Sequence, residues 1–596
     1  MSWSWRTKPR SILRTIQWFP FFGALENQNW DDMDDTNVGH FDGKSVHPVR
    51  REYIYNAHSA EDASIGALTL QKYMSGKYDT KETESNGRND KTTFEFFGFG
   101  YTDESGTIKV TKVGQRIMQG NFDDEDFLKQ LLKMHFPNNI RASIPGFSAE
   151  DFVYPMEIVC QAIKEFEYLN RSELALLFGC NGAEHLEDAF NAIRHFRTAY
   201  QALSNKNETT KVKALFKESY EYGYGNIENQ VNSYYDYAES WGRSLVYTGM
   251  FKATGRSLAT KIRVPEYCQS KLDMILDSVD FTRKVFASVD EYMRWFGDYE
   301  SITLPWDNVD TRRNIIEEKI KSIQAIGEND EFIANYDGDI QELVKQIIGK
   351  AAEAVNAESI TQLKETENEL VEFITNVKER EYIRTLSQTP AARNEIIDKY
   401  DEIMDTIDMG ALWLEVNTWK SLLAIAGDKR VKRNFNIEED LTPKSFAPGI
   451  GNTPDMEMYT SDYIIIPEVS LMTGVQQWEH EASSVIDHVL SFIREYEDKT
   501  VLGLFISTSI NIRTKWQFFI LNRESWVGKS VPVIPFTIKQ YKGVLECFYQ
   551  YNRDISEFIR IIDSIRCIAL KAKNFEDWFT RTENFINEWK AQLASA

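Results

Sequence analysis

The chain has 596 residues, with 68 basic and 91 acidic side chains and a formal net charge of −23. Its 42% hydrophobic and 27% charged content is that of a globular protein, which excludes wholesale disorder. At about 100–200 residues per domain, several domains are expected. The acidic total argues against a nucleic-acid partner only if the charge is evenly spread, because polyanions recruit basic surfaces. Cys160, Cys180, Cys268, Cys547 and Cys567 stand far apart and never as Cys-x-x-Cys. That excludes a disulfide framework and a thiolate zinc site and fits a reducing, cytosolic setting.

The N-terminal stretch MSWSWRTKPRSILRTIQWFPFF is basic and then aromatic. Gln17 and Pro20 break its apolar part and no small-residue cleavage site follows, so a signal peptide is not expected. No apolar run approaches the ~18 residues of a membrane span, and no membrane partner is expected. Residues 1–300 mix short helical and strand patterns. FEFFGFGYTDESGTIKVTKVGQRIMQG predicts a strand, a turn at Asp103–Gly106, a strand Thr107–Val110 and a helix N-capped by Thr111. In SYYDYAESWGRSLVYTGMFKATGRSLATKIRV a helix ends near Gly249 and two strands flank a turn at Thr254–Gly255. Helix plus β-ribbon is the skeleton of a winged helix, a duplex-DNA reader, and equally of a generic α+β packing unit.

Charge bears on that choice. From Trp241 to Val264 the basic residues are Arg243, Lys252, Arg256, Lys261 and Arg263, with no acid among them. Arg6, Lys8, Arg10 and Arg14 likewise precede the first acidic residue. Basic residues beside a β-ribbon suit phosphate contact, while a solvated basic face is the alternative. Residues 311–410 are the opposite, with 22 acidic and 12 basic residues and three amphipathic helical patterns. They read as an acidic helical connector facing solvent.

From residue 411 the pattern turns α/β. A helix through Leu412–Ala426 precedes a loop with Pro443, Pro448 and Gly451. The strands DMEMY and YIIIPEVS follow, then the helix QWEHEASSVIDHVLSFIREY, the strand VLGLFISTSI, the apolar segment VPVIPFTI and closing helices. Asp455 and Glu468 lie thirteen residues apart about a two-residue turn at Ser461–Asp462. An unbulged hairpin sets them opposite each other with Cβ atoms about 4.5–5.5 Å apart. Like charges so opposed call for a cation, and two hard carboxylates make half a site for a magnesium-like ion. The alternative is a surface pair with splayed side chains. In the next helix Glu481 and His488 stand seven residues apart, nearly in line beside an apolar stripe, and Glu415 lies in the helix upstream.

Pro-Asp…Glu-x-x outlines a PD-(D/E)xK nuclease core, with Ser470 where lysine is usual. The stretch Gly451-Asn452-Thr453-Pro454-Asp455-Met456-Glu457, the Glu468-Val469-Ser470 strand, Gly474, Gln477, Glu481 and His488 resemble the catalytic segment of the AlwI family. That family holds Type IIS restriction endonucleases and related BstNBI-type nicking endonucleases. Glu415–Trp419, Asn434–Ile437, FGFGYTDESGTIKVTKVGQRIM with Phe127–Leu131, and Tyr247–Phe251 match in the same order.

The resemblance implies a multidomain α+β and α/β protein. Residues 1–300 form a winged-helix-like DNA-recognition region, 301–390 an acidic helical linker and 391–596 a PD-(D/E)xK-like nuclease domain. It implies Glu415, Asp455, Glu468, Glu481 and His488 as catalytic residues. Mg²⁺ is expected on Asp455, Glu468 and the Val469 carbonyl, double-stranded DNA as substrate, and the prokaryotic cytosol as location. The family tends to lack the motif lysine, so Ser470 is compatible with activity. Second-strand cutting calls for a homodimer or a small catalytic partner subunit. The alternative function is a sequence-specific DNA-binding protein with a degenerate nuclease domain. Glycosidase-like carboxylates are disfavoured, since opposed acids leave little room for a sugar ring.

Overall fold

The computed structural model describes residues 3–30, 40–41, 44–45, 83–145, 147–203, 208–227, 230–254, 258, 260–329, 340–356, 359–405, 409–426, 431–444, 453–474, 477–523, 528 and 530–595. The chain forms two compact units, Met1–Thr311 and Arg312–Ala596.

The first unit is built on aromatic residues. Trp3 lies 4.2 Å from Phe178 and 5.1 Å from Trp241 between ring centroids, and Trp5 packs edge-on to Phe96. Helix α1 (Thr83–Phe96) leads to an antiparallel hairpin, β1 (Gly100–Thr102) and β2 (Ile108–Val110), and then to α2 (Lys112–Met118). Thr111 caps α2, its hydroxyl accepting from the Gly114 amide, as its position before the apolar-periodic run predicts. Phe94 and Phe96, expected in a strand, are the last turn of α1 instead. The aromatic run is buried almost throughout, with Phe94 and Phe99 at 0% exposure, so burial erases the alternation that would tell strand from helix.

A second motif starts with β3 (Tyr168–Asn170) and α3 (Arg171–Leu176), joined by a capping box between Asn170 and Glu173. After α4 (Val231–Val246) come β4 (Lys252–Thr254) and β5 (Lys261–Arg263). The antiparallel order is β3-β5-β4. Gly255 of the expected turn lies outside the described residues.

The second unit begins with α5 (Val309–Glu328, shared at its first turn with the first unit), α6 (Ile340–Ala354) and α7 (Ile360–Glu381). Arg312 pairs with Glu367 in the interior, and Lys319 bridges to Glu439 at 2.8 Å. Glu379 takes Arg433 at 2.6 Å. The acidic stretch therefore packs on the α/β part through its own charges rather than standing clear in solvent.

Helices α8 (Pro390–Met404) and α9 (Gly410–Ala426) precede a five-stranded sheet of order β10-β9-β8-β7-β6. Its strands are β6 (Val431–Arg433), β7 (Met456–Tyr459), β8 (Tyr463–Ser470), β9 (Thr500–Ser507) and β10 (Val533–Thr537). The β8–β9 and β9–β10 pairs are parallel, and β7 runs antiparallel to β8 and β6. All but the first residues of β8 and β9 are buried, which is why both read as continuous apolar runs. Helix α10 (Ala482–Glu495) lies on β9, and α11 (Ile512–Arg523), α12 (Ile538–Gln550), α13 (Ile555–Lys571) and α14 (Phe575–Ser595) complete the unit. Among the described residues, no helix is long and apolar enough to cross a membrane.

Candidate active site

The β7–β8 hairpin turns on Ser461–Asp462, with the Thr460 amide donating to the Tyr463 carbonyl at 2.9 Å. Ile464 pairs with Tyr459 and Ile465 with Met458, the register that sets Asp455 across from Glu468. The ladder stops there, and Pro467 explains why. The Val469 amide donates to Asp455 Oδ2 at 2.9 Å. By the two-residue repeat of a strand the Pro467 nitrogen faces the same way, with no hydrogen to give. The strands part, and the carboxylate of Asp455 takes the amide that a neighbouring backbone would have taken.

Glu468 sits 8% exposed in a strand covered on both faces. Its Oε1 lies 2.5 Å from His488 Nδ1 on α10, and it shares a side-chain hydrogen bond with Asp455. Burial pushes the Glu468 carboxyl up to about 8, with Glu481 and Glu415 adding in the same sense. Burial and then the charges of Asp455 and Glu481 push Glu415, on α9, up to about 8. Asp455 is pushed well up by burial, with Glu468 and Glu481 adding to it. His488 is lowered by burial, which favours its neutral form. The structure thus brings the five expected residues Glu415, Asp455, Glu468, Glu481 and His488 into one electrostatically connected cluster at the end of β8.

The donor set fits a hard divalent cation: Glu415, Asp455 and Glu468, each made harder to ionise by burial and by its acidic neighbours, stand with Glu481 as a group of carboxylates that such an ion neutralises. No three of these acids and His488 bring ligand atoms within 4.8 Å of one another among the described residues. The cluster is open, as suits an ion held by one or two carboxylates, water and phosphate. Such a trio does close in the first unit, at Asp151, Glu184 and His185. There the Glu184 and His185 side chains are 56% and 44% exposed, and Asp151 already accepts the Ser148 amide at 2.6 Å.

Asn434 is a residue whose role the sequence did not reveal. Its amide donates to the Asp455 carbonyl at 2.9 Å, and its side chain donates to the Pro454 carbonyl at 2.9 Å and to Glu457 at 2.8 Å. It therefore supports the loop that presents Asp455. Ser470, in the place of the motif lysine, is buried and accepts the Met472 amide at 3.0 Å. Gly451 and Asn452 lie outside the described residues.

The basic residues of the first unit divide. Lys261 and Arg263 are exposed on one face of β5, with Ile262 turned to the core, and Lys261 lies 4.1 Å over the Tyr168 ring. Lys252 is buried, 8% exposed, and Arg243 pairs with Glu239 at 2.8 Å. Arg10 is held by Asp236 and Glu239, and Arg6 by Asn89 and Thr93. Arg256 lies outside the described residues. Half-spent or buried cations are poor phosphate contacts, so the exposed basic face is smaller than the charge count implies.

The family model described as AlwI restriction endonuclease matches residues 96–544. Among solved structures the chain is similar to the small subunit of the heterodimeric restriction endonuclease R.BspD6I. The identity is 21%, over 32% of this chain and 98% of that one, with a TM-score of 0.28. No curated protein matches.

Proposed function

Because the chain belongs to the AlwI restriction endonuclease family, and so is a DNA-cutting enzyme of a restriction system, we propose that it is a Mg²⁺-dependent, site-specific endodeoxyribonuclease of the Type IIS or strand-nicking kind. Its first unit reads a short asymmetric duplex site through winged-helix-like parts. Its second unit, with a PD-(D/E)xK-like core, hydrolyses a phosphodiester a few base pairs outside that site. The observation that carries this reading is the cluster of Asp455, Glu468, Glu481 and Glu415, whose carboxyls are held together at a strand end in a buried setting.

Asp455 and Glu468, with the Val469 carbonyl, would hold the ion, which would supply charge neutralisation at the scissile phosphate and a lower pKa for the attacking water. The Val469 amide fixes the Asp455 carboxylate, and His488 Nδ1 fixes Glu468; with Glu468 ionised its carboxylate can only accept, so Nδ1 would carry the hydrogen and Nε2 would be the acceptor of the ring. Glu481 completes the metal site and orients the water, and Glu415 anchors the cluster from α9. Lys261 and Arg263 meet backbone phosphates. One such cluster per chain cuts one strand per engagement, so a double-strand cut draws a second catalytic domain from a homodimer or a smaller partner subunit.

The test is incubation of a sequence-diverse plasmid with the purified chain, with and without Mg²⁺, and mapping of every new end on each strand. Breaks at a fixed offset from one asymmetric sequence, only with Mg²⁺, are expected. Binding without any break would establish the DNA-binding alternative.

A further inference from the structure

The turn that carries Glu481 is not a regular helix. Gln477–Glu481 is a π-helical turn leading into α10, a widened geometry that recurs at functional sites. Gln477 is 0% exposed. Its Nε2 lies 2.9 Å from the Met472 carbonyl, 3.0 Å from Ser507 Oγ and 2.7 Å from the Ser509 carbonyl. Its Oε1 accepts the Asn511 amide at 2.7 Å. Met472 lies just beyond the end of β8 and Ser507 is the last residue of β9, so one buried amide ties the π turn to the ends of two parallel strands. The amide has two hydrogens for three acceptors. The Ser507 hydroxyl donates onward to the Met472 carbonyl at 3.4 Å, so these groups form one closed network.

The body of α10 has its own anchors. Val485 and Val489 are buried, and Gly503 on β9 lets Val489 approach where a Cβ would stand 2.7 Å from it. His488 rides on that body. Glu481, at the junction with the π turn, depends on Gln477 at the other end of the same turn.

We propose that Gln477 is a positioning residue of the cleavage site, setting where the Glu481 carboxylate stands relative to Asp455 and Glu468 by clamping the π turn to the strand ends. The inference rests on the nuclease reading above. An apolar side chain of the same size fills the space but abandons the network, which makes Gln477→Met the informative variant.

The test is calorimetric titration of the DNA-free full chain with Mg²⁺, alongside cleavage rates across a Mg²⁺ series, for wild type, Gln477→Met, Glu481→Gln, the double variant and Asp455→Asn. Gln477→Met is expected to weaken Mg²⁺ binding and raise the Mg²⁺ half-saturation of cleavage by about 10- to 100-fold, the usual effect of losing a group that orients a ligand. The double variant is expected to bind Mg²⁺ no more weakly than Glu481→Gln alone, a non-additivity that general destabilisation would not produce. Binding and cleavage within twofold of wild type in Gln477→Met, full additivity, or an unchanged Mg²⁺ affinity in Glu481→Gln would each overturn the proposal. If Asp455→Asn also matches wild type, it is the nuclease reading that has failed. Should Gln477→Met not fold, Ser507→Ala removes one acceptor of the same amide. A severalfold loss of Mg²⁺ affinity then supports the clamp, and no loss overturns it.

Discussion

Glu468 is a carboxylate in the middle of an apolar strand, where an uncompensated charge is costly. Its carboxyl and that of Glu415 stand at about 8 against an ordinary 4.5. A folded-state pKa above the unfolded one means that the fold binds the proton more tightly. The associated stability is full below about 4.5 and is lost as pH rises through about 8. The metal-free chain should therefore melt at falling temperatures across that window. Its Mg²⁺ affinity should climb over the same range, since the ion competes with protons for these oxygens. Scanning calorimetry at stepped pH, with and without Mg²⁺, checks both, and Glu468→Gln should flatten the metal-free dependence. A wild-type profile as flat as that of the variant would contradict the assignment.

Of the five clustered residues, the Asp455–Glu468 and Glu481–His488 pairs were readable because strand and helix repeats put them at regular spacings, while Glu415 was singled out through the family resemblance. The roles of Asn434 and Gln477 were not readable, because an amide whose partners stand 20 to 34 positions away leaves no local pattern. The basic residues misled for a different reason. Arg243 has its counter-charge Glu239 four positions earlier, just outside the acid-free window.

Among the elements, the α/β order of the second unit was legible from residue 411 onward, since β8 and β9 announce themselves as apolar runs between turn residues. Strand β6 was not, being three residues long at the sheet edge, too short to show a period. The opening of the hairpin at Pro467 was in principle visible, for a proline in a central strand must face an interrupted ladder. Gly503 is the element-scale counterpart of Gln477, because it decides how closely α10 approaches β9. Gly503→Ala sets a Cβ 2.7 Å from Val489 Cγ2 and 3.1 Å from Val533 Cγ2. It should cost about 1–3 kcal/mol, the usual range for overpacking a tight core, in urea unfolding of the second unit's transition. It should also slow cleavage, because His488 follows the helix. A midpoint and rate equal to wild type would show that the helix is free to shift.

At the scale of the whole molecule, the net charge of −23 is a statement about distribution. Part of the acidity lies on α5 to α7, where Glu367 and Glu379 serve ion pairs within the second unit, and part in the carboxylate cluster around Glu468. The exposed positive face on β5 is small, which predicts weak non-specific binding with a shallow salt dependence. Lys261→Ala and Arg263→Ala should each flatten the slope of log affinity against log salt by about 0.9, the value of one released counterion. Lys252→Ala should leave the slope alone and lower stability, because Lys252 is buried. Anisotropy titrations on one duplex over a salt series separate these outcomes. Equal slopes for all three variants would remove β5 from the DNA interface.

The central claim is that the acids across the β7–β8 hairpin cut DNA with a divalent ion. The most direct measurement is the Mg²⁺-dependent cleavage rate of Asp455→Asn on the mapped duplex site, at protein concentrations where anisotropy shows the duplex bound. The substitution keeps a side-chain oxygen able to accept the Val469 amide while removing the charge. Unchanged binding with a rate lower by about 10²- to 10³-fold or more is predicted, as for loss of a main electrostatic group in a reaction centre. Cleavage at the wild-type rate would place the chemistry elsewhere in the chain.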